Sequence, residues 1–173
     1  AFLLHWSKSE RKLDAYDGRE TAPAAARPDR FLEAGKPMPF ARAMRSGLSI
    51  GTPGLVRLLW DTHRAHGRLP WAQLFTPAIR LAEEGFEVSR RLHLLLRWTG
   101  AGVFDATAKA YLFDADGAPH AIGHILRNPA YAATLRAIAE EGPEGFYAGP
   151  VADAMLKAVA SAPNAAGDLS AAD

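Results

Sequence analysis

Segments that open with proline and close with glycine follow one another after residue 51, and they constrain the fold more than any other feature. Thr52-Pro53 precedes a segment that ends at Gly67, and Thr76-Pro77 precedes one that ends at Gly85. Proline is favoured in the first turn of a helix, and glycine just beyond its end. The pattern therefore predicts two helices, with Thr52 as the N-cap of the first.

Three more helices are predicted in the second half of the chain. One begins after Ser89, one runs from Asn128-Pro129 to Gly142, and the last spans about Val151 to Ala160. Apolar residues at helical spacing are expected to face inward in all five helices. These residues, with one threonine, are Leu55, Leu58, Leu59 and Thr62; Ile79, Leu81 and Ala82; Leu92, Leu95 and Leu96; Leu135, Ile138 and Ala139; Val151, Met155 and Val159.

The N-terminus has strand character instead. The apolar run Phe2 to Trp6 predicts a buried strand, and Leu13 to Tyr16 predicts its hairpin partner. Two strands are marginal alone, so we expect the hairpin to belong to a larger sheet. A third short strand is predicted at 111–113, with a turn at 114–117. The predicted fold class is α+β: a mostly helical segment with an N-terminal strand hairpin.

The region between the hairpin and the first clear helix carries weaker signals. Ala22 to Ala26 predicts the start of a helix, which Pro28 limits. Residues 28–49 are predicted to be loop. No linker divides residues 1–173, which are expected to form one domain.

Composition excludes several classes of function. The chain has 20 Lys and Arg against 19 Asp and Glu, a net charge of +1, which does not predict binding to nucleic acid. It has no cysteine, which excludes disulfides, thiolate metal sites and a cysteine nucleophile within the chain. No apolar run approaches the roughly 20 residues that span a bilayer.

The histidines and paired aspartates do not predict a metal site. His120 and His124 have helical ligand spacing, but Pro119 and Gly123 oppose a helix there. Asp114 and Asp116 resemble the opening of a calcium loop whose remaining ligands are missing, so we interpret them as a turn. His63 and His66 lie near a helix C-terminus, where a partial positive charge suits the dipole, so no catalytic role is predicted for them.

Arg19 is the strongest candidate for a binding residue. It follows Gly18 at the end of a predicted strand, and its planar, permanently charged guanidinium suits bidentate recognition of a small carboxylate. The residues alone leave two alternatives open: a structural ion pair with Glu20 or Asp17, or a plain surface arginine.

The segment Asp17 to Pro23 resembles the D-x-R-E-x-A-P motif of the gamma-glutamyltranspeptidase family. Further similar segments follow in the same order and cover nearly the whole chain. They are Gly51-Thr52-Pro53-Gly54, His66 to Trp71, Pro77 to Ala82 with Gly85 to Ser89, Asn128-Pro129, Ala139 to Pro143, and Phe146 to Gly149. The final stretch, Asn164 to Asp173, resembles a family segment that usually has paired glycines, one of which is replaced here by Ala166.

The resemblance implies an αββα N-terminal-nucleophile hydrolase sandwich, made as a precursor that cleaves itself into a large and a small subunit. It implies that the new N-terminal Thr of the small subunit attacks a gamma-glutamyl donor such as glutathione. The acyl-enzyme then passes the group to water or to an amino acid or peptide acceptor. The Arg of the motif binds the donor's α-carboxylate, a role that carries over to Arg19. The family implies no cofactor, and a periplasmic or secreted location.

On this resemblance the chain is expected to be the central part of a large subunit. It begins with Ala1 and has none of the small-subunit residues, so no catalytic residue is assigned within it and it is expected to be inactive alone. Two alternatives remain: a related acylase of the cephalosporin or glutaryl type, and a helical binding module without catalysis.

Overall fold

A computed structural model describes residues 1–173, which form eight α-helices and six strands. The helices are α1 (Phe40–Met44), α2 (Leu55–His66), α3 (Thr76–Glu84), α4 (Arg90–Thr99), α5 (Ala106–Leu112), α6 (Pro129–Glu141), α7 (Glu144–Tyr147) and α8 (Gly149–Ala160). The strands are β1 (Phe2–Ser7), β2 (Lys12–Asp17), β3 (Leu32–Glu33), β4 (Lys36–Pro37), β5 (Phe86–Glu87) and β6 (Ile125–Leu126). They pair as β1 with β2, β3 with β4 and β5 with β6, all antiparallel.

The chain divides into two compact units. The first contains residues 1–71 and 140–173, and the second contains residues 72–139. The first unit holds the N-terminal hairpin, α2, α7 and α8, while the second holds α3, α4, α5 and most of α6. Among all these helices, none has both the length and the apolar character that a membrane span requires.

The predicted N-terminal hairpin is confirmed, but the prediction that its first strand is buried is wrong. β1 and β2 pair in register from Phe2 opposite Asp17 to Ser7 opposite Lys12. Phe2 and Leu4 are each 69% exposed, and Trp6 is 58% exposed. Side chains alternate between the two faces of a strand. This face therefore lies open, while the opposite face is half-buried.

The helix predicted after Thr52-Pro53 is confirmed as α2, but Thr52 is not its N-cap. Gly54 holds that position, and the backbone of Thr52 instead forms an antiparallel bridge with Thr21. Leu58 and Thr62 are buried as predicted. The prediction that the other two leucines of the set face inward is wrong, since Leu55 is 48% and Leu59 41% exposed.

The second unit confirms the predicted capping. The Ser89 hydroxyl accepts from the Leu92 N–H at 3.1 Å, and Asn128 Oδ1 accepts from the Tyr131 N–H at 2.9 Å. Leu81 and Leu95 are exposed and were wrongly predicted to face inward. The buried apolar side chains of this unit are Ala82, Val88, Leu96, Phe113, Leu126, Ala132, Leu135, Ile138 and Ala139.

Three local predictions are wrong. Residues 106–112 form helix α5 where a strand was expected at 111–113, because the Asp105 carboxylate caps the helix by accepting from the Ala108 N–H at 2.8 Å. Residues 22–26 form no helix, and only a single turn closes there, from the Ala26 N–H to the Pro23 carbonyl at 2.8 Å. The predicted loop at 28–49 contains β3, β4 and α1. The turn at 114–117 is confirmed.

Candidate functional site

Two loops that are distant in sequence lie side by side in the first unit. The carbonyl of Thr21 accepts from the Thr52 N–H at 2.8 Å, and the carbonyl of Thr52 accepts from the Thr21 N–H at 3.3 Å. The loop that follows β2 and the loop that precedes α2 are thus joined as a short antiparallel pair. The motif at 17–23 and the motif at 51–54 are therefore adjacent in the folded chain.

Three glycines allow these loops to approach. A Cβ on Gly18 would collide with the Cβ of Leu58, which is fixed to the α2 backbone. A Cβ on Gly54 would lie 2.9 Å from the Gly18 carbonyl oxygen, and one on Gly51 would lie 2.8 Å from the Thr21 carbonyl oxygen. These separations are shorter than carbon contacts allow, so only glycine fits. The backbone on either side of Arg19 is consequently held in place.

The side chain of Arg19 is exposed on this fixed backbone. Its backbone N–H donates to Asp17 Oδ1 at 2.9 Å, while its guanidinium pairs with the adjacent Glu20. The two side chains of that pair are 57% and 52% exposed. The pKa of Glu20 lies below its ordinary value, first because its own backbone N–H hydrogen-bonds the carboxylate and further because Arg19 is close. Of the two structural alternatives for Arg19, the local pair with Glu20 is therefore present, and it leaves the arginine accessible.

Arg19 lines a cleft of about 260 Å³. Its other polar walls come from β2 and from the start of α2, where Arg57 Nε donates to Asp61 Oδ2 at 3.0 Å. The lining residues are Tyr16, Asp17, Gly18, Arg19, Thr21, Thr52, Pro53, Gly54, Arg57, Leu58 and Asp61. The cleft combines two arginines with two aspartates, so it suits a small ligand that carries both charges.

Tyr147 joins two of the residues that line this cleft. Its hydroxyl donates to the Pro53 carbonyl at 2.7 Å and accepts from the Arg57 N–H at 3.2 Å. Tyr147 lies in the family-like segment Phe146 to Gly149, but the sequence assigned no site role to it, to Arg57 or to Asp61. The spacing of Arg57 and Asp61, four residues apart on a predicted helix, was the only signal available for the pair.

The C-terminal stretch packs on the same unit and lines a second cleft of about 470 Å³. The Asp173 carboxylate accepts from the backbone N–H groups of Ala24 at 2.6 Å and Ser170 at 2.8 Å, and from the Ser170 hydroxyl at 2.9 Å. These hydrogen bonds, that of Ala24 first, hold the pKa of Asp173 below its ordinary value. The stretch is thus tied to the segment that follows Arg19.

The structure also explains why Ala166 can replace a glycine while its neighbour Gly167 cannot be replaced. A Cβ on Gly167 would collide with the Gly47 carbonyl oxygen, and a Cβ on Gly47 would lie 2.5 Å from the Val159 carbonyl oxygen. Gly47 and Gly167 must therefore both lack a side chain. Ala166 is exposed, so its methyl group meets no such obstacle.

The second unit contains the histidine pair and the aspartate pair whose spacing resembles that of metal ligands. The rings of His120 and His124 stack with centroids 4.0 Å apart on non-helical backbone. Asp114 Oδ1 accepts from the N–H groups of Asp116 at 3.0 Å and Ala118 at 2.9 Å, which closes the turn. The histidine and aspartate side chains that do come together, His5, Asp14 and His66, were not predicted from the sequence.

Comparisons with known proteins agree with the motifs. A family model described as Gamma-glutamyltranspeptidase matches residues 1–173. The chain is similar to Glutathione hydrolase 2 of Arabidopsis thaliana, with 40% identity over 137 residues, which make up 79% of this chain and 23% of that protein. It is also similar to the Glutathione hydrolase proenzyme of Arthroderma benhamiae, with 39% identity over 149 residues, 84% of this chain and 25% of that protein.

The fold shows the same likeness. The crystal structure of Helicobacter pylori gamma-glutamyltranspeptidase matches with a TM-score of 0.90 and 28% identity, covering 100% of this chain and 49% of that one. This match confirms the predicted fold class, an α+β segment of an N-terminal-nucleophile hydrolase. The chain spans about a quarter of the length of the two relatives and about half of the chain in the crystal structure.

Proposed function

The chain belongs to the gamma-glutamyltranspeptidase family, and on this basis we propose that it is part of the large subunit of a glutathione hydrolase or gamma-glutamyltransferase. The complete protein hydrolyses or transfers the gamma-glutamyl group of glutathione and related amides. The acceptor is water, an amino acid or a peptide. Family membership and the names of the two relatives support this assignment.

In this proposal the chemistry occurs on a Thr outside this chain. A precursor cleaves itself, and the new N-terminal Thr of the small subunit forms the acyl-enzyme, with its own amine as the base. The Arthroderma benhamiae relative is named a proenzyme, which supports such processing. The segment described here would contribute the substrate-binding wall.

Arg19 is the residue of this segment that we assign to the donor. The observation that carries the assignment is an exposed guanidinium, on a backbone fixed by glycine contacts, at the edge of a polar cleft. A guanidinium binds a carboxylate through two parallel hydrogen bonds. The donor's α-carboxylate would therefore pair with Arg19, either in place of the exposed Glu20 carboxylate or together with it.

The test is Arg19→Ala in the full-length protein. Loss of a charged hydrogen-bonded pair costs on the order of 2–4 kcal/mol, so the donor KM should rise roughly 30- to 1000-fold. Self-cleavage should persist, because Arg19 is exposed and does not support the fold. Intact-mass measurement and N-terminal sequencing of each polypeptide would report cleavage and identify the Thr.

Arg27→Ala is the matched control. Arg27 is 79% exposed and paired with nearby Asp29 at 3.3 Å, but it does not line the cleft. Its removal should leave the donor KM unchanged. An unchanged KM in Arg19→Ala would refute the assignment of Arg19, and a single uncleaved chain in the wild type would refute the processing step.

The preferred donor distinguishes the acylase alternative from the proposed activity. A glutaryl-type acylase would prefer amides whose acyl group lacks the α-amino group of a glutamyl donor. Comparing kcat/KM for matched glutamyl and glutaryl amides therefore decides between the two activities. We propose a preference for the glutamyl amide.

A periplasmic or secreted location belongs to the same proposal and rests on the family alone. Fractionation of cells that express the full-length gene tests it. Enzyme recovered only with cytoplasmic markers would refute it.

A further inference from the structure

Three side chains suited to bind a metal ion converge beside the N-terminal hairpin. One potential ligand atom from each of His5, Asp14 and His66 lies within 4.8 Å of the other two. All three residues are partly buried. They come from β1, β2 and the last position of α2, so the fold rather than the local sequence brings them together.

We propose that His5, Asp14 and His66 form a binding site for a divalent transition-metal ion, of which Zn²⁺ is the best probe. Two imidazoles and one carboxylate are a ligand set that zinc sites use. Magnesium and calcium prefer oxygen ligands alone, and ions that select thiolates have no cysteine here. Three protein ligands leave a fourth position for water.

The register of the hairpin fixes two of the ligands. His5 lies directly opposite Asp14, so their side chains project from the same face of the sheet. This is the half-buried face, whereas the neighbouring Leu4 and Trp6 point to the exposed one. Two zinc–ligand bonds of about 2.1 Å at a tetrahedral angle place ligand atoms roughly 3.4 Å apart. To reach that separation from within 4.8 Å, the side chains have to rotate, and the stacked rings of His5 and His66 have to tilt so that both face the ion.

The third ligand is oriented by a tyrosine. The Tyr16 hydroxyl and His66 Nε2 are 2.7 Å apart, which is a hydrogen bond. When His66 Nε2–H donates to the Tyr16 oxygen, the lone pair of the imidazole lies on Nδ1 and is free to bind a metal. Metal-binding histidines commonly use their second nitrogen in this way, to fix the ring and its tautomer.

One ring nitrogen of the cluster is buried and has no hydrogen-bond partner. The imidazoles of His5 and His66 stack with centroids 3.6 Å apart, and His5 Nδ1 is buried without a hydrogen-bond partner. A buried nitrogen without a partner is unfavourable. A metal ion bound by the cluster would give this ring a partner.

Lys12 is the competitor for the carboxylate. Its ammonium lies 2.7 Å from Asp14 Oδ1. Lys12 is exposed, with 63% of its side chain accessible, and one Asp14 oxygen is enough for a monodentate ligand. The lysine can therefore keep its contact or move into solvent when the metal binds.

The experiment is calorimetric titration of Zn²⁺ into the full-length protein after removal of metals with a chelator. The wild type should bind one more zinc ion than His5→Ala, His66→Gln or Asp14→Asn. Tyr16→Phe should keep the site but weaken its affinity about 10- to 100-fold. His124→Ala is the control, because it removes one ring of the other stacked histidine pair and should leave zinc binding unchanged.

Circular dichroism checks the fold of each variant. Should His5→Ala fail to fold, the nearly isosteric Asp14→Asn tests the proposal in its place. The visible absorption bands of bound Co²⁺ give a second readout, which only the variants of His5, Asp14 and His66 should lose. Equal zinc stoichiometry and affinity in the wild type and in Asp14→Asn would overturn the proposal. The result does not depend on Arg19 or on the donor, since binding is measured without substrate.

Discussion

Two arginines of the first unit, Arg19 and Arg30, differ in what surrounds their charge. The side chain of Arg30 is 11% exposed and donates to Asp168 at 2.7 Å, across 138 residues of sequence. The side chain of Arg19 is 57% exposed and pairs only with the adjacent Glu20 among the carboxylates. Arg30 joins distant parts of the chain, whereas Arg19 remains accessible to a ligand.

Both arginines lie near glycines that pack backbone against backbone. Gly47 and Gly167 approach each other near the Arg30 pair, as Gly18 and Gly54 do around Arg19. In the first case a partly buried ion pair lies beside the contact, and in the second a cleft does. The position of the partner carboxylate, rather than the rigidity of the backbone, therefore separates a structural arginine from a candidate ligand-binding one.

Arg30→Ala should have the largest effect on stability. It leaves Asp168 without its partner, and loss of one member of a largely buried pair should reduce the free energy of unfolding by about 2–3 kcal/mol. The donor KM should not change. Denaturant unfolding of the full-length protein measures the first effect and steady-state kinetics the second, with Arg27→Ala as the exposed control.

The comparison would fail if Arg30→Ala were as stable as Arg27→Ala. It would also fail if it raised the donor KM as strongly as Arg19→Ala. A double substitution of Arg30 and Asp168 by leucine should regain part of the lost stability, because it leaves no unpaired charge.

Gly167→Ala should have the next largest effect. The new methyl group would collide with the Gly47 carbonyl oxygen, and such overpacking costs about 1–3 kcal/mol. Ala166→Gly is the matched control one residue away, and it should change stability by less than about 1 kcal/mol because Ala166 is exposed. A difference in melting temperature between the two variants measures this. Equal melting temperatures would mean that the contact between Gly47 and Gly167 is not tight.

Glu20→Gln should have the smallest effect. It keeps the shape of the side chain but removes the charge that pairs with Arg19, so the donor KM should change no more than about fivefold. The pKa of Glu20 is lowered in the folded protein. Its pair with Arg19 is therefore complete above the ordinary value of 4.5 and is lost as the pH falls through the lower folded value. KM measured from pH 7 down to pH 4 in both proteins tests this, and identical profiles in the wild type and in Glu20→Gln would contradict it.

Much of the fold could be predicted because its signals are local. Ser89 and Asn128 act through neighbouring N–H groups, and the hairpin follows from alternating residues on either side of a turn. The prediction at 111–113 failed because the apolar and aromatic residues there resemble a strand, whereas the capping aspartate at position 105 starts a helix that continues to Leu112. The exposed face of β1 was predicted as buried because apolar residues alone do not show whether another layer covers them.

The candidate site could be predicted only in part. The sequence singles out Arg19 and the glycines of both loops, but the pairing of Thr21 with Thr52 depends on backbone contacts between distant segments. Tyr147 reaches the site across 94 residues through its hydroxyl group, and no local pattern indicates that contact. The meeting of His5, Asp14 and His66 is tertiary in the same sense.

The measurement that tests the role of Arg19 most directly compares two donors in two proteins. One donor carries the free α-carboxylate and the other carries a neutral amide in its place. In the wild type, kcat/KM should favour the carboxylate roughly 30- to 1000-fold, and in Arg19→Ala this preference should nearly disappear. A preference that survives unchanged in Arg19→Ala would show that another residue binds the carboxylate, and would contradict the account.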